Sequence, residues 1–377
     1  MRATGPGARG VVSLRDVADR AGVSIKTVSN VVHGYVHVSS ATRTRVQAVL
    51  DEMNYRPNLA ARTLRSARTG LIALAVPELD LPYFAELARH VVREAERHGW
   101  TVLIDQTDGQ LERERQVMNG IRAHLIDGVL FSPLAAGPAE LTDREDHTPL
   151  VLLGERVYDG PFDHVAIDNV AAARIAVDHL LSLGRRRVGA IGEQNRPSSG
   201  TARLRSQGYA QALTAAGLPV DPARIVPTDS YHRADGAAAM AQLLDRDPDV
   251  DAVFCFNDLL ALGAMRLLHE RGRAVPGDVA VVGFDDIEEG RYSTPTLTTV
   301  RPDKEQIARL AVDLLAARLD GSDTQGPREL TAPFELAVRE STTGVPAAPP
   351  TPSPAVRTDA SPRRPGRAGR GSPTSRT

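Results

Sequence analysis

Apolar residues recur along this chain with two different periods. Over residues 14–53 the spacing is helical. Leu14, Val17, Ala18 and Ala21 share one side of LRDVADRA. On a helix starting at Ile25, Val31, Val28 and Val32 fall at about 240° to 340° from it, one stripe able to face a core. Val46, Val49, Leu50 and Met53 line a third segment predicted over residues 41–53. From residue 70 the pattern changes to continuous apolar runs: LIALAV, WTVLI, DGVLF, LVLL, RVGAI, DAVFCF and DVAVVGF. Between many of them lie helical patterns such as FAELARHVVREAERHG and NVAAARIAVDHLLSLG. Apolar strands alternating with amphipathic helices predict parallel sheets covered on both faces. A small all-α head and a long doubly wound α/β body are therefore expected, with residues 71–344 ample for two sheet units.

Within the head, Gly22-Val23-Ser24 joins the first two helices. Glycine permits the tight turn and Ser24 is a suitable N-cap, which makes a helix-turn-helix. The exposed arc of the second helix carries Lys26, Thr27, Ser29, Asn30 and His33. These residues alone fit an ordinary helical hairpin with a solvated polar face equally well. Ser39 can cap the third helix. Pro57 then breaks the chain, and residues 58–66 allow about two turns of helix with Asn58 as a cap. So short a helix is marginal alone in water, and Arg62, Arg65 and Arg68 suggest that it orders against DNA.

Charge sharpens the division. Residues 1–70 hold 11 Lys and Arg against 4 Asp and Glu, and residues 345–377 hold 6 against 1, within a chain of 377 residues and net charge −2. The body between them is therefore strongly acidic. A basic head on an acidic body points to a polyanionic partner for the head. Cys255 is the single cysteine, which excludes an intrachain disulfide and a cysteine-rich zinc site. The N-terminal stretch MRATGPGARGVVSL lacks a signal-peptide apolar region, and no run reaches the roughly 18 apolar residues of a membrane span. A cytoplasmic, nucleoid-associated protein without membrane contact is expected. GPGARG matches the dinucleotide-binding G-x-G-x-x-G, but it follows no strand and opens no helix; residues 1–11 read as a flexible arm. Residues 345–377, rich in Pro, Ser, Gly and Arg, read as a disordered tail, either inert or weakly attracted to DNA.

The stretch from Val12 to about Ser66, with AGVS, TVS, a VS before the third helix and NYRPN, resembles the DNA-binding head and hinge of the lactose/galactose repressor (LacI/GalR) family. The resemblance implies a helix-turn-helix domain over residues 12–57 and a hinge over 58–70. It implies a second helix lying in the major groove, with Ile25, Lys26 and Asn30 reading base edges. Ser13, Ser24, Thr27, Ser29, His33, His37, Ser39 and Asn58 would contact or approach the backbone and fix register. Many members carry arginine where this chain has Asn30, so the operator sequence does not carry over. Leu64 matches the leucine that paired hinge helices wedge into the minor groove, which bends the duplex; the alternative is a packing residue between hinges.

In α/β sheets of this kind, sites lie beyond the carboxyl ends of strands. There the sequence places Asp80, Tyr83 and Phe84, then Ser132, Asp168 with Asn169, Asn257 with Asp258, and Asp285 with Asp286; Arg205 and Tyr231 come from RLRSQGY and SYHRADG. Acceptors, amides and aromatic faces suit a neutral polyhydroxylated ligand. PYFAEL, RLRSQGY, FNDLLALGA, VVGFDD and TPTLTTVRPD resemble the effector-binding core of the same family, which is similar to periplasmic sugar-binding proteins: two like lobes joined by three crossovers. By that resemblance Tyr83, Phe84, Arg205, Tyr231, Asn257 and Asp285 would contact the effector, with Asp80, Ser132, Asp168 and Asn169 as further candidates. Asp258 and Asp286 could instead cap helices, and Tyr83 and Phe84 could be lobe-interface core.

Three classes of function compete. A sugar-binding transport receptor accounts for the body but not for the head or the missing signal peptide. An enzyme would need a P-loop, a nucleophile elbow or metal-spaced histidines, and none is found. An effector-controlled DNA-binding repressor accounts for the whole chain. No cofactor or metal is expected. The partners expected are a pseudopalindromic operator, a small effector (a sugar or sugar derivative, with a purine or nucleoside as the alternative) and a second copy of the chain. No leucine heptad follows the body, so a dimer is expected.

Overall fold

The computed structural model describes residues 12–32, 35, 37–55, 68–120, 125–154, 160–194, 200–321 and 326–344. The N-terminal arm, most of the hinge and the C-terminal tail lie outside these residues, as do His33, Asn58 and Leu64.

The head consists of α1 (Leu14–Ala21), α2 (Ile25–Val32) and α3 (Ser40–Glu52). Each start is held by a serine hydroxyl accepting a backbone N–H: Ser13 from Asp16 at 3.3 Å, Ser24 from Thr27 at 3.1 Å, and Ser39 from Thr42 at 3.3 Å. At α1 the cap is reciprocal, because Ser13 N–H donates to the Asp16 carboxylate at 2.8 Å. Gly22, at φ +64°, closes α1 in the left-handed region that a side chain disfavours. Val17, Ala18, Ala21, Val28, Val31, Val46, Val49 and Leu50 form the buried core, with Ile25, Val32 and Met53 packed at its edge.

Among the described residues the body holds two six-stranded sheets. The first is built from β1 (Leu71–Val76), β2 (Thr101–Gln106), β3 (Gly128–Phe131), β4 (Leu150–Leu153), β5 (Asp163–Ala166) and β11 (Glu329–Thr331), in the order β11-β5-β4-β3-β1-β2. The second takes β6 (Val188–Glu193), β7 (Ile225–Pro227), β8 (Ala252–Cys255), β9 (Ala280–Phe284), β10 (Thr298–Pro302) and β12 (Phe334–Ala337), in the order β12-β10-β9-β8-β6-β7. All pairings are parallel except β10 with β12, an antiparallel edge that the sequence pattern did not predict. Alternate residues of a strand point to opposite faces. Accordingly Ile72, Leu74 and Val76 of β1 join one buried cluster, and Ala73 and Ala75 join another. A strand buried on both sides reads as the unbroken run LIALAV for that reason.

Helices cover these sheets: α4 (Pro82–Arg97), α5 (Leu111–Met118), α6 (Pro138–Thr142), α7 (Asn169–Ser182), α8 (Gly200–Ala215), α9 (Arg233–Arg246), α10 (Asp258–Glu270), α11 (Glu288–Arg291), α12 (Lys304–Leu319) and α13 (Glu340–Thr343). The chain passes between the lobes three times: from β5 to β6 through α7, from β10 to β11 through α12, and from β11 to β12 through Ala332 and Pro333. None of the described helices is long and apolar enough to cross a membrane.

Candidate functional site

Two surfaces gather the polar residues singled out in the sequence. On α2 the valine stripe faces the core, which leaves Lys26 exposed and Thr27, Ser29 and Asn30 half-buried beside it. Ser24 and Thr27 hydroxyls are bonded at 2.9 Å, so both are partly committed to the start of the helix. Ser13 and Ser39 are likewise exposed caps, and the His37 ring meets Tyr35 edge-on at 5.4 Å. Their spacing leaves one arc of α2, with Ile25 at its start, open to solvent and rich in donors.

The second surface is a cavity of about 220 Å³ between the two lobes, beyond the carboxyl ends of their strands. Tyr83, Phe84, Ser132, Arg205, Tyr231, Asn257 and Asp285 all line it. Tyr83 and Phe84 open α4, where Pro82 takes the first turn, and their rings meet edge to face at 5.2 Å. Arg205 reaches in from α8 and is buried. Its Nε donates to Asn169 Oδ1 at 2.8 Å, its Nη1 to the Phe256 carbonyl, and its guanidinium lies 3.5 Å over the Phe284 ring. Asn257 caps α10, its Oδ1 accepting from Leu260 N–H at 2.9 Å, while its Nδ2 donates to the Tyr231 carbonyl at 3.0 Å. The Tyr231 hydroxyl donates to the Gly192 carbonyl at 2.8 Å. Asp285 sits at φ +112°, an unusual backbone for a non-glycine residue that its surroundings must hold.

Three candidates fall elsewhere. Asp80 is exposed on the loop after β1, and Asp168 caps α7 by accepting from Ala171 N–H at 2.9 Å; neither lines the cavity. Asn169 acts through Arg205. The cap expected of Asp258 falls to Asn257, and Asp286 caps no helix, since α11 starts after Ile287 without a side-chain cap. Asp258 is fully buried and accepts from the Thr299 hydroxyl at 2.6 Å and Ile287 N–H at 2.9 Å. Burial, reinforced by the nearby Asp285 charge, pushes its carboxyl well above the usual range. Burial would raise Asp286 too, but the guanidinium groups of Arg339 and Arg291 outweigh it and hold that carboxyl below its ordinary value.

Several lining groups were not singled out in the sequence: Glu78, Asp108, Gln194 and Asp229. Glu78 of the first lobe meets His232 of the second at 3.1 Å. Glu114, buried on α5, accepts from the backbone N–H groups of Leu134, Ala135 and Ala136 and so fixes the loop after Ser132. A charge in LERERQ looks like a solvated face, so only the fold reveals this role. Among the described residues around the cavity, Glu78, Asp108, Asp229 and Asp285 outnumber the one guanidinium, that of Arg205, which the protein already engages; Glu78 is itself paired with His232 and Asp108 with Arg113. That excess of carboxyl groups disfavours an anionic ligand and suits one that donates hydroxyl groups.

Known proteins share both domains. Residues 13–58 match the bacterial regulatory proteins of the lacI family, and residues 177–342 match a periplasmic binding protein-like domain. The transcriptional regulator CelR of Thermobifida fusca is 37% identical over 338 residues, covering 87% of this chain and 98% of that protein. Among solved structures, the CelR–cellobiose complex superposes with a TM-score of 0.65 at 34% identity, over 88% of this chain and 99% of that one. The lac repressor dimer bound to operator and an anti-inducer gives 0.75 at 28% identity, over 88% and 99%.

Proposed function

The chain belongs to the lacI family of bacterial regulatory proteins, and from that premise we propose that it represses a metabolic operon under the control of an uncharged sugar or sugar derivative. It is a DNA-binding transcription regulator and not an enzyme. In this reading a homodimer holds a pseudopalindromic operator in the cytoplasm, at the nucleoid. Ile25, Lys26 and Asn30 read bases, and Ser13, Ser24, Thr27, Ser29, His37 and Ser39 set register on the backbone. Tyr83, Phe84, Ser132, Arg205, Tyr231, Asn257 and Asp285 hold the effector.

The observation that carries the effector class is the excess of carboxyl over guanidinium groups among the described lining residues, with the Tyr83–Phe84 pair as an apolar platform. Hydroxyls of a sugar donate to carboxylates, and its C–H faces lie against aromatic rings. A purine or nucleoside is the second reading, favoured by the same pair, because a base stacks on rings as well.

A thermal-shift screen of the full chain separates them. Cellobiose, ribose, adenine and cytidine are supplied at 10–100 times a typical micromolar-to-millimolar affinity, where a binder selective for the folded state stabilises by about 1.4–2.7 kcal/mol. A rise in Tm with the sugars supports the first reading, and a rise only with the base or nucleoside replaces it with the second.

A further inference from the structure

Helix α12 begins at the cleft and ends where the chain enters the body from the head. At its start the Lys304 side chain is buried, with Nζ paired to Glu86 of α4 and donating to the Asp285 carbonyl at 2.6 Å and the Asp286 carbonyl at 3.3 Å. Glu86 also accepts from Glu288 N–H at 3.3 Å. A lysine on a helix of the first lobe thus holds a turn of the second lobe, both of whose residues have positive φ. The side chain of Asp285 lines the cavity, as does Tyr83, whose ring centre lies 5.7 Å from Lys304 Nζ.

Sixteen residues later, about 24 Å along the axis, α12 meets the end of the hinge sequence. Arg68 donates to the carbonyl of Leu319 and to the Asp320 carboxylate, the latter at 2.8 Å. Leu315 covers Gly128, where a Cβ would come within 2.7 Å of it. The residue before, Asp127, accepts from Thr69 N–H and Gly70 N–H, each at 2.7 Å. Between these ends Ile307, Ala308, Ala311 and Val312 are buried, so the helix has no slack in which to absorb a displacement.

We propose that α12 is a rod linking the effector cleft to the hinge within one subunit, with Lys304 as its cleft joint and the Arg68 contacts as its hinge joint. A change in the Asp285–Asp286 turn shifts Lys304, the helix carries the shift, and residues 68–70 move with its end. By linkage the reverse holds: fixing the head on DNA must alter the cleft.

The reverse direction gives a test that needs no effector. The full chain is used to select a duplex from a random pool, and amide hydrogen exchange is then followed with and without that duplex. Over residues 285–288 and 304–307, the duplex is expected to change wild-type exchange by about fivefold or more, the lower end of ordinary coupling between sites. In Asp320→Ala and Arg68→Ala the change falls below about twofold, with Tm unchanged, since both side chains are exposed and neither variant threatens the fold. Lys304→Met, which keeps the apolar stem, gives the same loss from the other end. Glu270→Ala, which removes an exposed ion pair elsewhere, leaves the change intact. The rod is refuted if the wild-type cleft shows no response to the duplex, or if Asp320→Ala and Arg68→Ala both keep the full response.

Discussion

Single side chains divide into those that read a partner and those that hold the reader in place. In the proposed reading Lys26 belongs to the first group: it is exposed on the open arc of α2 and commits no bond to the cap. Lys26→Ala is expected to cost about 1–3 kcal/mol on the selected operator and much less on random duplex. Competition titrations at fixed salt check this, and an equal loss on both would make Lys26 a backbone contact. Asp258 belongs to the second group. Its raised carboxyl pKa means that the folded state keeps a proton which the unfolded chain releases near pH 3.8. Its contribution to stability is therefore fully present below that value and lost as pH rises through the raised one. Asp258→Asn removes the charge and keeps both contacts with one of them reversed, its Oδ1 accepting from Ile287 N–H and its Nδ2 donating to the Thr299 hydroxyl. Its Tm relative to wild type should climb between pH 4.5 and 7.5, by about 2–4 °C for each kcal/mol relieved. A calorimetric difference that does not vary with pH would show an Asp258 ionised throughout. Asp286, depressed by Arg339 and Arg291, runs the other way: its contribution is present above the ordinary carboxyl range and is lost as pH falls through the lowered value. VVGFDD and FND gave no hint of this contrast, because the sequence shows adjacent acids but not which one faces guanidinium groups.

Elements were legible where their burial was uniform. β1, β3, β4, β8 and β9 are buried along nearly their whole length and stood out as apolar runs. β7, β11 and β12 lie at sheet edges, three or four residues long and partly exposed, so IVP, ELT and FELA carry no such signal. The helix starts of the head were legible for a different reason: a serine before an apolar period is a local cue, independent of tertiary packing. Caps in the body were less so, since in FNDLL the cap could fall on either Asn257 or Asp258, and only their backbone geometry decides. That placement has a consequence at α7 and α10. Asp168→Ala removes a cap that does not line the cavity and is expected to cost about 1 kcal/mol of stability while leaving effector affinity unchanged. Asn257→Ala removes a cap and a cavity wall together and should weaken both. Paired calorimetry and ligand titration distinguish them; a loss of affinity in Asp168→Ala would return that residue to the site.

For the whole molecule, function rests on two lobes sharing one cavity and a head attached to one of them through residues 68–70. Any effector that shifts operator affinity by some factor must have its own affinity shifted by the operator by the same factor. Titrating the ligand found by the thermal screen against free and duplex-bound protein is expected to return that equality, and a mismatch beyond error would mean that the two sites belong to different species in solution. The overall architecture was legible because two signals of different period met at residue 70, with a charge boundary at the same place. The Glu78–His232 contact across the lobes and the Lys304–Glu86 pair within the first lobe were not, since each joins residues more than 150 positions apart whose charges look solvent-facing in isolation.

The third passage between the lobes, Ala332 and Pro333, bears on synthesis. β11 completes the first sheet and β12 the second, and both come from the final stretch of the described body. As the chain leaves the ribosome the three-helix head has all its residues early, whereas the sheets wait, each unfinished at one edge, until residue 331 has emerged for the first and residue 337 for the second. A transcript broken before codon 329 therefore yields a head able to fold on a body that cannot close either sheet. Such a fragment exposes two strand edges at once and is a substrate for chaperones and proteases rather than a free-standing competitor for DNA.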